Sequence, residues 1–378
     1  MNEDFGKLKR LIVGIMKRFF VRVVLIMGII TGICGFCPAK DLQVVFLNPG
    51  GAKDIGVWHM VSNFMGAAAD DLGIQLETIY AERNHIRMLE QAKMIAKRKI
   101  QPDYVIMVNE KAAGKQMLSH FKTSGSKIFF IHNGLTIQQR GRIGNEREIV
   151  KNWIGTITTD DYQAGYKLIR ELCAHSEEEP RILGITGTKA TPVSLIRLRG
   201  VQDYIKKSGR GVQYQVVYGR WSYEDGKQKA RVLLRRYKDA NIIWAANDSM
   251  ASGVFDATKE LTEKREILVG GMGGFPIALE SIRKGGIKVT AAGHPMIGAW
   301  ALVLICDYHH GTDFKDDIGV SFKVDHLTLI DSPEDVGQYS RIVLEQPQQI
   351  DFRKFSKKFN PNLRKYNFSY DKVVEAAE

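Results

Sequence analysis

Cysteine is scarce in this chain. Of four in 378 residues, Cys34 and Cys37 lie near the amino terminus, while Cys173 and Cys306 stand singly in the helical contexts KLIRELCAH and ALVLICDYH. That pattern excludes a cysteine-dense secreted framework and offers no zinc-ligand spacing. A disulfide between Cys173 and Cys306 stays open on numbers alone, but their apolar settings read as buried free thiols. Catalytic signatures are lacking too: there is no GxSxG elbow, no HExxH pair and no Cys/His constellation. GGMGG (270–274) lacks GxGxxG spacing and a following Lys-Ser/Thr, so it reads as a tight turn after a strand rather than a phosphate cradle. The Asp160-Asp161 pair invites an acid–base reading. One of them more simply ends a strand while the other caps the next helix. Neither an internal repeat nor a heptad run is present. These absences argue against an enzyme, a cofactor and a metal site.

One long apolar run is present. Val23 to Phe36 follows Lys7, Lys9, Arg10, Lys17, Arg18 and Arg22 and precedes Cys37-Pro38-Ala39. Charge, apolar core and small-residue exit in that order read as a secretory signal peptide over residues 1–39. The run is short for a spanning helix, which needs about 20 apolar residues, although a retained anchor is the alternative, and Met16 is an alternative start. Removing residues 1–39 takes away six basic and two acidic side chains, lowering the formal charge from +12 to +8. The remaining Lys and Arg are scattered without interleaved aromatics, so they read as solvated faces and not as a nucleic-acid surface.

From Asp41 onward, ten short apolar runs alternate with amphipathic helical patterns. The runs start at Leu42, Gln75, Tyr104, Lys127, Trp153, Arg181, Gln213, Ile242, Ile267 and Val289. Such alternation predicts an α/β fold with parallel sheets covered by helices on both faces. Ten strands exceed one comfortable doubly wound sheet, so two similar lobes are expected, with a break near Ile157 to Asp161. Polar residues recur at the carboxyl ends of the runs: Asn48, Asn109, Asn133, Asp160, Asn247 with Asp248, and His294. Each alone is a turn or cap signal. Together they converge on one crevice, where open α/β sheets bind small molecules.

The order AANDSMASGV, ILVGGMGGFPIALESIRKGG and VTAAGHPMIGAW, with DDYQAGYKLI and RLRGVQDYI before it, resembles the type 1 periplasmic binding proteins, the sugar receptors of ABC importers. The similarity runs from about Leu42 to Asp325, and the tail is closer to the larger LuxP-like members. The same lobes form the sensor half of LacI-type repressors, but here a signal peptide stands in place of DNA-binding helices. The resemblance implies two doubly wound parallel-sheet lobes joined by a three-strand hinge, closing on a small polyhydroxylated ligand. It divides the chain into a first lobe of residues 40–157 plus 295–323, a second of 158–294 plus 324–345, and a tail of 346–378 packing on the lobes. A monomeric, periplasmic receptor follows, read by an ABC permease or, alternatively, by a membrane sensor kinase or chemoreceptor.

Carried over residue by residue, the resemblance implies that Asp248 accepts two sugar hydroxyls and that Arg197 points into the cleft, while Arg199 makes a structural salt bridge. Asn109 and Asn133 fall at contact positions of the first lobe, and Trp221 falls where the family carries a ring able to stack on a sugar's C–H face. Asn247, His294 and Asn48 complete the set. Two departures stand out. NPGGAKDIGVW places Gly50 and Gly51 where many sugar receptors have two aromatics, leaving Trp58 as a ring supplied from a longer loop or as a core residue. His294 replaces a neutral polar group, which would allow pH-dependent binding.

Overall fold

The computed structural model describes residues 42–378 except 54, 55 and 264. The signal peptide expected over residues 1–39 lies outside the described residues. Among the described residues no helix is long and apolar enough to cross a membrane.

The chain begins with β1 (Leu42–Asn48), α1 (Val57–Leu72), β2 (Ile74–Tyr80), α2 (His85–Ala96), β3 (Tyr104–Met107), α3 (Gly114–His120), β4 (Lys127–Ile131), α4 (Ile137–Ile143) and β5 (Trp153–Thr159). It continues through α5 (Asp161–Ala174), β6 (Arg181–Thr186), α6 (Pro192–Ser208), β7 (Val212–Tyr218), α7 (Tyr223–Arg236), β8 (Ile242–Ala245), α8 (Asp248–Thr258), β9 (Leu268–Gly273), α9 (Pro276–Arg283) and β10 (Val289–Ala292). The remainder holds α10 (Ile297–His309), α11 (Lys315–Ile318), β11 (Ser321–Val324), β12 (Thr328–Ile330), α12 (Pro333–Tyr339) and α13 (Tyr370–Ala377).

Two six-stranded sheets result, ordered β11-β5-β4-β3-β1-β2 and β12-β10-β9-β8-β6-β7. All pairings are parallel except β10 with β12. Strands β3, β8 and β10 are buried along their whole length, as continuous apolar runs must be when helices cover both faces. In each sheet the strand order reverses beside the first strand of its lobe. Carboxyl ends at such a switch point open a crevice. The ten strands read from the sequence are all present. Strands β11 and β12, each four residues or fewer and partly exposed, are additional; they are the crossings that return to each sheet's edge.

Local chemistry places the helices that frame the crevice. Asp160 caps α5 by accepting from the Gln163 N–H, and Asn247 caps α8 by accepting from the Met250 N–H. Helices α5 and α6 touch through Gly165 and Gly200. A Cβ at Gly165 would lie 2.1 Å from the Arg197 carbonyl oxygen, and one at Gly200 would lie 2.1 Å from that of Tyr162. Only glycine admits that approach, and the approach brings Arg197 onto the start of α5.

Cys173 and Cys306 are buried free thiols. The tail packs on the first lobe's helices: Phe352, Phe355 and Phe368 surround Trp300 of α10, and Phe352 meets Phe64 of α1 edge-on. Buried Asp307 fastens it, accepting from the Ser356 and Tyr366 hydroxyls and from the Lys357 and Lys358 N–H groups.

Candidate functional site

A cavity of about 440 Å³ opens among the carboxyl ends of both sheets, a volume within the range of small-molecule sites. The first lobe contributes Arg83 after β2, Glu110 and Lys111 after β3, His132 and Asn133 after β4, and Trp58 from the first turn of α1. From the second lobe come Thr188 after β6, Arg220 and Trp221 after β7, Asn247 after β8, Phe275 after β9 and His294 after β10. Asp161 and Arg197 line it as well, at the start of α5 and within α6.

Asp161 and Arg197 form the polar floor. Arg197 Nε donates to Asp161 Oδ1 at 2.7 Å, Nη1 donates to the Ala246 carbonyl, and Nη2 lies 2.7 Å from His294 Nε2. Both members of the pair are nearly buried, so the attraction is little screened. Burial pushes the Asp161 carboxyl up, but Arg197 and His294 outweigh it and hold it down at about 2. Burial and the Arg197 guanidinium both lower His294. Its Nε2 also lies 3.4 Å from Asp161 Oδ1, whose charge opposes that lowering, and its Nδ1 makes no hydrogen bond. His132 is held neutral, down to about 3, by burial and by its neighbours His294 and Arg197, and its Nε2 makes no hydrogen bond. Asn133 lines the cavity with a carboxamide that makes no hydrogen bond among the described residues.

Rings enter from both lobes. Trp58 is 8% exposed, packing into the first-lobe core while one part lines the cavity, and it meets His132 edge-on at 5.0 Å. Its position accounts for Gly50: a Cβ there would lie 2.5 Å from Trp58 Cβ, so an aromatic at that position would collide with the tryptophan. Trp221 and Phe275 face the cavity from the other lobe.

Three of the residues expected at the ligand do not line the cavity. Asp248 does not line the cavity and is fully buried: Thr290 Oγ1 donates to its Oδ1 at 2.7 Å and the Phe275 N–H to its Oδ2 at 2.7 Å. It ties the loop after β9, and β10, to α8. Burial, outweighing these hydrogen bonds, raises its carboxyl to about 6. Asn48 is consumed by the Gly50 N–H, the Trp58 carbonyl and Ser62. Asn109 is consumed by the Gly114 N–H, the Gly134 carbonyl and Gln139. Both asparagines shape the loops on which cavity residues sit. Trp58, Asn133, Arg197, Trp221, Asn247 and His294 do reach the cavity. Asn247 is part of its wall as a cap, with its amide donating to the Trp221 carbonyl.

Sequence reasoning passed over Asp161, His132, Arg83, Lys111 and Phe275. The signal for Asp161 was its doublet, since Asp160 alone suffices as the cap. Arg83, Lys111, His132 and Trp221 share a further property: all are non-glycine residues with positive φ, between 45° and 65°. That conformation costs energy for a residue with a Cβ, and such strain gathers at ligand clamps. Among the described residues seven non-glycine positions have positive φ, and four of them line this one cavity.

A periplasmic binding protein domain model matches residues 44–312. The chain belongs to the periplasmic binding protein family. A periplasmic sugar-binding protein from Pseudomonas fluorescens is 32% identical, the match covering 88% of this receptor and 99% of that chain at a TM-score of 0.78. An ABC transporter periplasmic solute-binding protein from Actinobacillus succinogenes 130z, solved with bound D-allose, shares the fold at a TM-score of 0.67 and 17% identity, over 79% of this receptor and 99% of that chain. The D-allose-binding periplasmic protein of Escherichia coli (strain K12) is 29% identical over 156 residues, 40% of this receptor and 49% of that protein. The receptor spans about half the length or less of the curated relatives it matches.

Proposed function

We propose that this periplasmic binding protein captures a small, sugar-like polyhydroxylated molecule between its lobes and presents the closed form to an ABC importer, without chemical turnover. The observation that carries the reading is the pairing of rings with a polar floor in one cavity: Trp58 on one lobe, Trp221 and Phe275 on the other, and Asp161, Arg197 and Asn133 beside them. A pyranose or furanose offers apolar C–H faces to rings and hydroxyls that both donate and accept. Contacts made by both lobes at once exist only in the shut state, so the ligand draws the open–closed equilibrium towards closure.

Because two tryptophans line the cavity, binding is readable in the receptor's own fluorescence. Titration of Lys40–Glu378 with neutral and acidic sugars and polyols should give a saturable change that Trp221→Ala diminishes and shifts to higher ligand concentration, together with compaction in small-angle scattering. Saturable binding that leaves both tryptophan emission and dimensions unchanged would sink the cleft reading. Import is tested separately: deleting the gene should abolish growth on the identified ligand as sole carbon source.

A further inference from the structure

We infer that the occupant of the cleft is an acidic polyol, a sugar-like molecule carrying one carboxylate or phosphate, with its anionic group held at the mouth by Lys111, Arg83 and Arg220. The inference rests on the reading of the cleft as a sugar-like site and adds the charge of what fills it.

The first observation is the charge inventory. Arg83, Lys111, Arg197 and Arg220 line the cavity against Glu110 and Asp161, and the two cavity-lining histidines are held neutral. Asp161 is occupied by Arg197. Glu110 lies 4.0 Å from Arg83, too far for a hydrogen bond. Lys111 makes no ion pair or hydrogen bond among the described residues. Arg220 shares Asp225 with Lys229, and its side chain is 77% exposed. Two cationic groups are therefore left without a matching carboxylate on the wall.

The second observation is independent of charge. Arg83 and Lys111 hold φ of 57° and 45°, the left-handed region that side chains with a Cβ avoid. The fold maintains that strain at two neighbouring cations; the Arg83–Glu110 contact brings together the loops after β2 and β3, which carry them. Arg220 lines the same cavity from the other lobe. In an empty cleft, shutting the lobes brings like charges together while removing water from them, which opposes closure. An anion between them reverses the sign and makes closure conditional on charge as well as shape. A purely neutral sugar satisfies the rings and the floor but leaves the mouth unmatched.

Matched series test this: D-glucose with D-glucuronate and D-glucose 6-phosphate, and myo-inositol with its monophosphate, titrated into Lys40–Glu378 by calorimetry, with inorganic phosphate alone as a further probe. The acidic member of a binding pair should bind about tenfold tighter or better, the usual scale of one charge-assisted hydrogen bond. Its affinity should fall between 20 and 500 mM salt, as exposed charge interactions do. Lys111→Gly, which keeps the left-handed backbone, should bring the ratio of acidic to neutral affinity close to one; Arg220→Met is the second variant, on the opposite lobe. Which acidic member prevails separates carboxylate from phosphate. A neutral polyol that binds as tightly as its acidic partner overturns the inference and leaves the sugar-like reading standing. Inorganic phosphate binding as tightly as any acidic polyol overturns it too, by showing an anion site indifferent to the sugar. Binding by no member of either series overturns the reading and the inference together.

Discussion

Replacing Asp161 by asparagine removes one charge from the cavity floor while keeping shape and hydrogen-bonding capacity. In the receptor its carboxyl sits at about 2 against an ordinary 3.8, a displacement that corresponds to roughly 2 kcal/mol of folding stability at neutral pH. The variant also leaves the Arg197 guanidinium buried without its counter-charge, and breaking a buried pair from one side costs about 3–5 kcal/mol. The two figures describe overlapping effects, so a loss of about 3 kcal/mol is expected, seen as a melting temperature lower by about 5 °C or more in a chain of this size. The pH profile supplies the sharper check. A carboxyl whose folded value is depressed contributes stability that is complete above pH 4 and disappears as the pH falls from 4 to 2. Calorimetric melting across that window should show a descending acid limb that Asp161→Asn loses. Adding Arg197→Met should recover part of the deficit, since an apolar side chain there needs no counter-charge. An Asp161→Asn protein that melts with the parent and keeps the full acid limb would refute the ion-pair argument and the assignment of the cavity floor with it.

Three further outcomes follow from the same geometry. Trp221→Ala should weaken ligand binding about tenfold through lost stacking with little change in melting, whereas Trp58→Ala should weaken binding and also cost about 3 kcal/mol because its ring is half core; calorimetry and thermal melting separate the two. Asp248→Asn concerns stability: its raised carboxyl means the folded state binds more protons than the unfolded chain between pH 4 and 6, so parental stability falls by up to about 3 kcal/mol across that rise, and the variant should flatten the profile. Gly165→Ala should cost about 1–3 kcal/mol by prising α5 from α6 and should weaken binding as Arg197 shifts, read by melting and titration on one preparation.

Periodicity sufficed for β1 to β10 because most are buried apolar runs, and the edge strands β2 and β7, only partly buried, are seven residues long. It failed for β11 and β12, which have four and three residues and are only partly buried; their pairing comes from where the crossings must go. The carboxyl-end rule pointed to one crevice, but of the seven residues it nominated only Asn133, Asn247 and His294 line the cavity; Trp58, Arg197 and Trp221, which line it too, came from the family resemblance. Direction was the illegible part. Asn48, Asn109 and Asp248 stand at strand ends yet turn inward, towards backbone N–H groups that only the folded loops present. Asp248 and Asn247 exchange the roles their types suggest: the amide caps the helix and the acid braces two strands. The left-handed backbones of Arg83 and Lys111 carry no sequence mark, because nothing in Glu-Arg-Asn or Glu-Lys-Ala demands that conformation.

The last strand of each sheet has a bearing on how the chain folds. β11 joins the first sheet at residues 321–324 and β12 the second at 328–330, so both lobes receive their final edge within one stretch of ten residues. Until that stretch is made, β5 and β10 each keep an open edge able to pair with another chain. The amino-terminal lobe therefore cannot finish ahead of the other as synthesis proceeds, as independent domains do. Once complete, the shared segment ties the two lobes' fates together: pulling it away uncovers both edges at once, and the receptor should melt as one cooperative unit.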